Sequence, residues 1–509
     1  MAQPLVHRLE IHDRKQFEIK LEYQPSGDDP QGKYQIDAFL FLPASLHVDA
    51  ETYPRQDFYA DVHNYVRLKT PVMTLEEMLE AESSPLVRLE IRVDAERLEP
   101  ETELVYQAKL LSCCMRGAMR RFAVQVRSGA EAVGSDGQAA EALEAFVRKG
   151  HEAVGQVMSR FRAVMMGLVS RESLNEKTHA SLRLVDEYLS LTVEQFFRKA
   201  VAGMSPLPLD EKGLRLRKTL MDRVIREEAY RKERHLRSVL SPTGDNEEYV
   251  QRVSFLKKFC MNILFLAVRR EQSRSGAEEV LLALAAGVAM TFATAVAFWA
   301  QLRFTQVSLN FFMVLVLGYM LKDRIKEGLR RIFTSFAARY LYDRTIFILD
   351  PVTKKKVGEC KEKVDYGAAV RVPEEISKLR STDDVVTVSQ GELSESVIRY
   401  QKQMVLDSGR LPRVSGRVSG LTDIIRLNVD HFLRDMDDPE SALEYVDLED
   451  FSVGRVRAAK SYQLDLAFRF VVNDGHGRRG SIQLVRLVLD RNGIKRMLRF
   501  ERPRAAALE

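Results

Sequence analysis

The sequence predicts a multidomain membrane protein: an N-terminal antiparallel β domain, a long α-helical bundle, a two-helix transmembrane hairpin and a C-terminal β-rich (α+β) domain. Three observations predict it. Val280–Leu302 and Phe304–Leu321 are uncharged apolar runs separated by Arg303, and the first exceeds the roughly 20 residues a helix needs to cross about 30 Å of hydrocarbon. The flanking segments are too charged to enter lipid, so the pair divides two water-facing regions. Apolar residues alternate with period two near both ends of the chain, and recur with helical period between them.

The first β domain is expected over residues 1–97. Phe17, Ile19, Leu21 and Tyr23 alternate with charged residues; Tyr34, Ile36, Ala38, Leu40 and Leu42 form a second run, and Val87, Leu89, Ile91 and Val93 a third. A β-sandwich-like fold follows, with an irregular excursion through Pro43–Pro85. Residues 98–275 read as five helices, Thr102–Ser128, Gln138–Val169, Leu174–Ala202, Glu211–Leu240 and Asn246–Arg274, separated by stretches such as Ser205-Pro-Leu-Pro208. Ser173 with Glu176 fits a capping box, and Leu182, Val185, Leu189, Val193 and Phe196 form the apolar stripe that follows.

The hairpin is assigned to 276–321. In lipid, helices associate through close backbone approach, which small side chains permit. The first run carries two small-residue columns, Ala283, Gly287, Thr291, Ala295 and Ala285, Ala289, Ala293, Ala297. Two columns exceed what one partner helix needs, so contact between copies is expected as well. The competing readings are buried helices of a soluble core, and a second run that is re-entrant. That second run begins with Thr305, Gln306, Ser308 and Asn310, the only uncharged polar residues able to line a path there. Residues 322–343 read as a basic amphipathic helix whose Lys322, Arg324, Lys326, Arg330 and Arg331 either meet anionic lipid headgroups or form a solvated face. The turn holds only Arg303, so the positive-inside rule puts both termini in the cytoplasm, with the protein in an inner membrane.

Strand signals return over 344–504. Thr345–Leu349, Tyr462–Phe470, Ile482–Leu489 and Ile494–Phe500 alternate, and Asn492-Gly493 marks a hairpin, while Pro373–Leu379 and Ser394–Leu406 read as short helices. Ala505-Ala-Ala-Leu-Glu509 reads as a cloning scar, and the charged N-terminus has no apolar core of a cleaved signal.

At 509 residues there is room for three or four domains. The 77 basic and 72 acidic residues leave a net charge of +5, which argues against a global polyanion binder. Four cysteines without metal spacing suit a reducing compartment.

No P-loop, HExxH or GxSxG motif occurs. Gly475-His-Gly-Arg-Arg-Gly480 matches a phosphate-cradling pattern, but strands flank it, so a hairpin loop is expected. Gly416-Arg-Val-Ser-Gly420 has its serine one place wrong for a nucleophile elbow. His47, Asp49, Asp57, Asp61 and His63 are weak metal candidates, since imidazole with carboxylate suits zinc or iron; interleaved tyrosines argue for a hydrogen-bonded loop. The basic helix Lys212–Arg237 is diluted by glutamates, so no nucleic-acid partner is expected. No cofactor is expected either.

The leading expectation is a non-enzymatic, membrane-anchored homo-oligomer whose cytoplasmic domains form a docking platform. Its partners would be the bilayer, other copies of itself and a cytoplasmic protein. An oligomeric pore or mechanically gated channel ranks second, and a membrane-tethered enzyme third.

Overall fold

The computed structural model describes residues 5–23, 31–70, 72–94, 101–133, 137–169, 174–207, 210–271, 273–303, 308–350, 354–367, 370–380, 395–410, 413–414, 417–418, 420–446, 452–473 and 478–500. Antiparallel sheet is found towards both ends of the chain, with a long helical stretch between. Two compact units result, one of residues 1–66, 267–411 and 422–509, the other of 67–266 and 412–421.

The strands are β1 (Leu5–Ile11), β2 (Gln16–Tyr23), β3 (Gln31–Pro43), β4 (Val62–Leu68), β5 (Ala267–Glu271), β6 (Arg344–Leu349), β7 (Lys356–Tyr366), β8 (Glu395–Asp407), β9 (Arg413–Val414), β10 (Arg417–Val418), β11 (Leu421–Asn428), β12 (Glu440–Val446), β13 (Val453–Ala459), β14 (Tyr462–Asn473), β15 (Arg478–Asp490) and β16 (Gly493–Arg499). One sheet runs β16-β15-β14-β3-β8-β7-β6-β5, antiparallel throughout. A second runs β1-β2-β11-β4. Stacked rings join the two faces: Phe17 lies 5.9 Å from Phe468, and His7 lies 4.1 Å from Phe470.

The helices are α1 (Arg55–Asp61), α2 (Leu75–Glu80), α3 (Pro85–Asp94), α4 (Glu101–Val133), α5 (Gly137–Val169), α6 (Glu176–Gly203), α7 (Glu211–Glu233), α8 (Glu247–Met261), α9 (Ser273–Arg303), α10 (Leu309–Tyr340), α11 (Glu374–Arg380) and α12 (Asp430–Leu433). The second unit is the bundle of α2 to α8 around one continuous apolar core. Leu182, Val185, Leu189, Val193 and Phe196 of α6 all lie in that core, as their spacing predicts. The cap of α6 is Asn175, whose side chain accepts from the Lys177 amide at 3.0 Å; Ser173 lies outside the described residues.

Several expectations are corrected. Strands of 1–97 and 344–504, expected in separate domains, share one sheet, in which β3 lies between β14 and β8. β3 is therefore covered on both sides. Ile36, Leu40 and Leu42 are buried, and Phe39 and Phe41 pack in a cluster with Ile376 of α11. The expected strand Val87–Val93 is α3, which buries Leu86 and Leu89. Its start signal was there to read: Ser84 Oγ accepts from the Leu86 amide at 3.2 Å, and Pro85 occupies the first helical position. The expected helix Ser394–Leu406 is β8, and the fifth helix of the bundle stops at Met261 because Ala267–Glu271 pairs with β6. The fourth stops at Glu233, with His235 left-handed at φ 53.

The hairpin readings near the end hold. β14 and β15 pair from Asn473↔Arg478 onwards, and Gly493 opens β16 after the β15 turn. Residues 474–477 of the glycine-rich segment lie outside the described residues. The expected separate helix 322–343 is continuous with the second apolar run, in α10.

Candidate functional site: the α9–α10 hairpin

β5 and β6 are hydrogen-bonded neighbours, with Glu271 opposite Thr345. α9 leaves the first of these strands and α10 returns to the second, so the two helices extend a β-hairpin. Their lengths, 31 and 32 residues, correspond to about 46 and 48 Å at 1.5 Å per residue. The short link between them makes the pair antiparallel.

Small residues form the seam. Ala285, Ala289 and Ala300 of α9 are buried, as is Ala337 of α10. Gly318 is buried too, and a side chain there would begin 2.8 Å from Val296 Cγ1. Helices approach this closely only where a Cβ is absent or small.

The two predicted columns therefore part company. Ala285 and Ala289 face α10, and Ala293 and Ala297 are partly covered. Ala283, Gly287, Thr291 and Ala295 are exposed, and a side chain at 287 would meet nothing within 4 Å. Ala283, Gly287 and Thr291 border a shallow apolar groove with Leu284, Val288 and Phe292. Thr291 and Thr294 donate their hydroxyls to the Gly287 and Met290 carbonyls at 3.0 and 2.9 Å, which satisfies both without a neighbour.

One helix is long and apolar enough to cross a membrane: Glu279–Arg303, 25 residues of mean hydropathy 2.2 and only 11% buried among the described residues. α10 does not match it. Its uncharged part within the described residues, Leu309–Leu321, covers about 20 Å before Lys322 and Asp323 begin a charged segment. Ser308 is the cap of α10, its Oγ accepting from the Phe311 amide at 3.2 Å. Asn310 is exposed, while Thr305 and Gln306 lie outside the described residues. Arg324, Lys326, Arg330 and Arg331 are exposed; Lys322 lies at the seam, its ammonium 3.8 Å from the Tyr319 ring centre.

The weak metal candidates do not converge. Asp49 Oδ1 accepts from the Glu51 and Thr52 amides at 2.8 and 3.0 Å, and these bonds hold its carboxyl below the usual range. Asp61 accepts from the Tyr53 hydroxyl at 2.8 Å. His47 closes a 3-10 turn at φ 48, Asp57 sits in the first turn of α1, and His63 is exposed on β4. Among the described residues no group of three or more His, Cys, Asp or Glu could hold a metal ion.

Sequence reasoning missed a layer of buried charge between the sheets. Glu362 accepts from Arg344, from Asn64 and from the Tyr400 hydroxyl, the last at 2.6 Å. Lys402 donates to Asp423 at 2.7 Å, and Tyr34 donates to the same carboxylate at 2.9 Å. Burial pushes the neighbouring Cys360 thiol well up. The cavity beside Cys360 and Lys402 has a volume of about 10 Å³, room for one water at most, so this layer organises the sandwich and admits no substrate. In the bundle, Glu187 and Arg252 pair at 3.0 Å, and Arg162 and Glu227 at 2.6 Å. The basic helix α7 carries ion pairs along itself, Arg226–Asp222 at 2.8 Å and Lys232–Glu228 at 2.6 Å.

No protein-family model matches the chain, nor does any curated protein or solved structure.

Proposed function

We propose that this protein is a membrane-anchored homo-oligomer whose α9–α10 hairpin enters an inner membrane from the cytoplasmic side, its other regions forming a non-enzymatic assembly or docking platform. The observation that carries the reading is the division of small residues on α9: one column is used against α10, while Ala283, Gly287, Thr291 and Ala295 remain uncovered. In lipid such a face gains little by meeting acyl chains and more by meeting another helix. α9 also exposes Leu302, Phe298 and Val280, which suits hydrocarbon and not water. A basic groove between α4 and α6, bordered by Arg116, Arg120, Arg127 and Lys199 around Phe196, has the charge to dock an acidic segment of a cytoplasmic protein. An oligomeric pore is the second reading, favoured by the charges that α10 places beside apolar α9.

Gly287→Leu and Ala285→Leu test it. A side chain begun at 287 has nothing within 4 Å of its Cβ in one chain, so leucine there should lower the particle mass in detergent and leave the hairpin folded. A leucine at 285 should disturb the α9–α10 seam itself. Unchanged mass for Gly287→Leu would place assembly in the water-facing regions and remove the stated basis of the reading.

A further inference from the structure

The two arms of the hairpin are matched in length and mismatched in chemistry. Glu271 opposite Thr345 sets the register at the base, and Val296 against Gly318 sets it near the tip. These two points agree: position 290 of α9 lies at about the level of 324 in α10. From the tip, α9 stays uncharged from Leu302 back to Val280, about 34 Å, whereas α10 stays uncharged for about 20 Å. The membrane-proximal half of apolar α9 therefore runs beside Lys322, Asp323, Arg324, Lys326, Glu327, Arg330 and Arg331.

These charges take most of the surface of α10 that faces away from the seam. With about 100° per residue, Gly318, Ile325 and Leu329 fall on the seam, and Lys326, Arg330, Asp323, Glu327, Arg331 and Arg324 follow one another round most of the remaining surface. Away from the seam only a narrow exposed strip, Leu321, Gly328 and Ile332, suits lipid. A lysine or arginine escapes hydrocarbon by reaching along its helix to the interface, but side chains on α10 lean towards its N-terminus, which is the tip. Asp323 and Glu327 are too short for that escape. Intramembrane charge of this kind is stable where it faces water.

We infer that the Lys322–Arg331 segment of α10 lines a water-filled vestibule that enters the assembled oligomer from the base of the hairpin and concentrates small anions. This rests on the membrane-anchored homo-oligomer reading and adds to it a site and a ligand class. Five basic residues against two acidic ones make the vestibule net positive, and a narrow, low-dielectric mouth strengthens that field. Phe311, Phe312, Leu315 and Leu317 follow towards the tip without a charge, so the vestibule is closed outward and the assembly need not conduct.

The test is cysteine modification of the full-length protein in inside-out membrane vesicles, where the native Cys113, Cys114, Cys260 and Cys360 are buried and give little background. Arg324→Cys and Met290→Cys lie at one depth on the two helices, with Lys326→Cys as a second α10 position should Arg324→Cys not assemble. An anionic, membrane-impermeant thiosulfonate is expected to modify the α10 cysteines about tenfold faster than Met290→Cys, and faster than a cationic reagent of the same size does. Slow modification at both helices would show α10 sealed from water and overturn the vestibule while sparing the membrane reading. Equal, fast modification at both would show that the hairpin is not in lipid, and the membrane reading would fail with it. Fast modification of α10 without preference for the anionic reagent would overturn the anion assignment.

Discussion

The Lys402 ammonium donates to the Asp423 carboxylate at 2.7 Å inside the β-sandwich, each side chain 1% exposed. Removing one partner of such a pair strands the other charge in a low-dielectric interior, at a cost of about 3–5 kcal/mol. Asp423→Ala should therefore lower the unfolding midpoint strongly, with Tyr34 losing its acceptor as well. Lys402→Met combined with Asp423→Leu removes both charges and should unfold closer to wild type than either single change. Single variants as mild as a surface substitution would mean that water reaches the pair.

Glu18 gives a pH dependence of known sign. Its side chain is 2% exposed, and burial alone would raise its carboxyl, but Lys20 at 2.7 Å and Arg426 outweigh that and bring it below the ordinary 4.5. A carboxyl depressed by folding contributes stability that is present above its unfolded value and is lost as pH falls through the folded one. Glu18→Gln should thus cost about 1–2 kcal/mol at neutral pH, and the gap in thermal midpoint should close well below pH 4.5. A gap that stays constant with pH would mean that the carboxylate charge contributes nothing there.

The same buried groups explain how far the sequence could be read. β2, β3 and β14 were legible because apolar residues recur at every second position along each, and β16 because Asn492-Gly493 marks the turn before it. β8 was not, because Lys402 occupies an inward position between Tyr400 and Met404, and a lysine there breaks the alternation that its ion pair to Asp423 makes harmless. β5 has a single partly buried residue at its start and is otherwise exposed, so only its pairing with β6 makes it a strand. The joining of N- and C-terminal strands in one sheet depends on contacts across hundreds of residues, which local periodicity does not encode. For the hairpin the small residues were visible, but which column meets α10 depends on register, and register came from Val296 and Gly318.

Gly493 is held at φ 125, and a side chain there would begin 2.2 Å from the Arg14 carbonyl oxygen. Gly493→Ala should cost about 1–3 kcal/mol in backbone strain alone, with additional loss from displacing Arg14, whose carbonyl accepts from the Ile494 amide at 2.6 Å. Gly328, inside α10 with open space around it, is the contrast. Gly328→Ala should be neutral or stabilising by about 0.5–1 kcal/mol. Equal midpoints for the two variants would show that the 493 turn relaxes freely.

Ser308 and Asn310 look alike in the sequence as polar residues at the tip, and the structure separates their roles. Ser308 Oγ accepts from the Phe311 amide at 3.2 Å as the cap of α10, while Asn310 is exposed within the first turn. A lost cap costs about 1 kcal/mol of helix start, so Ser308→Ala should speed hydrogen exchange of the first α10 amides, and Ser308→Thr, which keeps an acceptor, should restore protection. Asn310→Leu removes no bond to the backbone and should leave exchange unchanged. Reconstituted bilayers then divide platform from pore: the platform carries no current in wild type or in any of these variants. Unitary currents abolished by Asn310→Leu, with exchange of the first α10 turn unaltered, would show that Asn310 lines a path and would replace the platform with a pore.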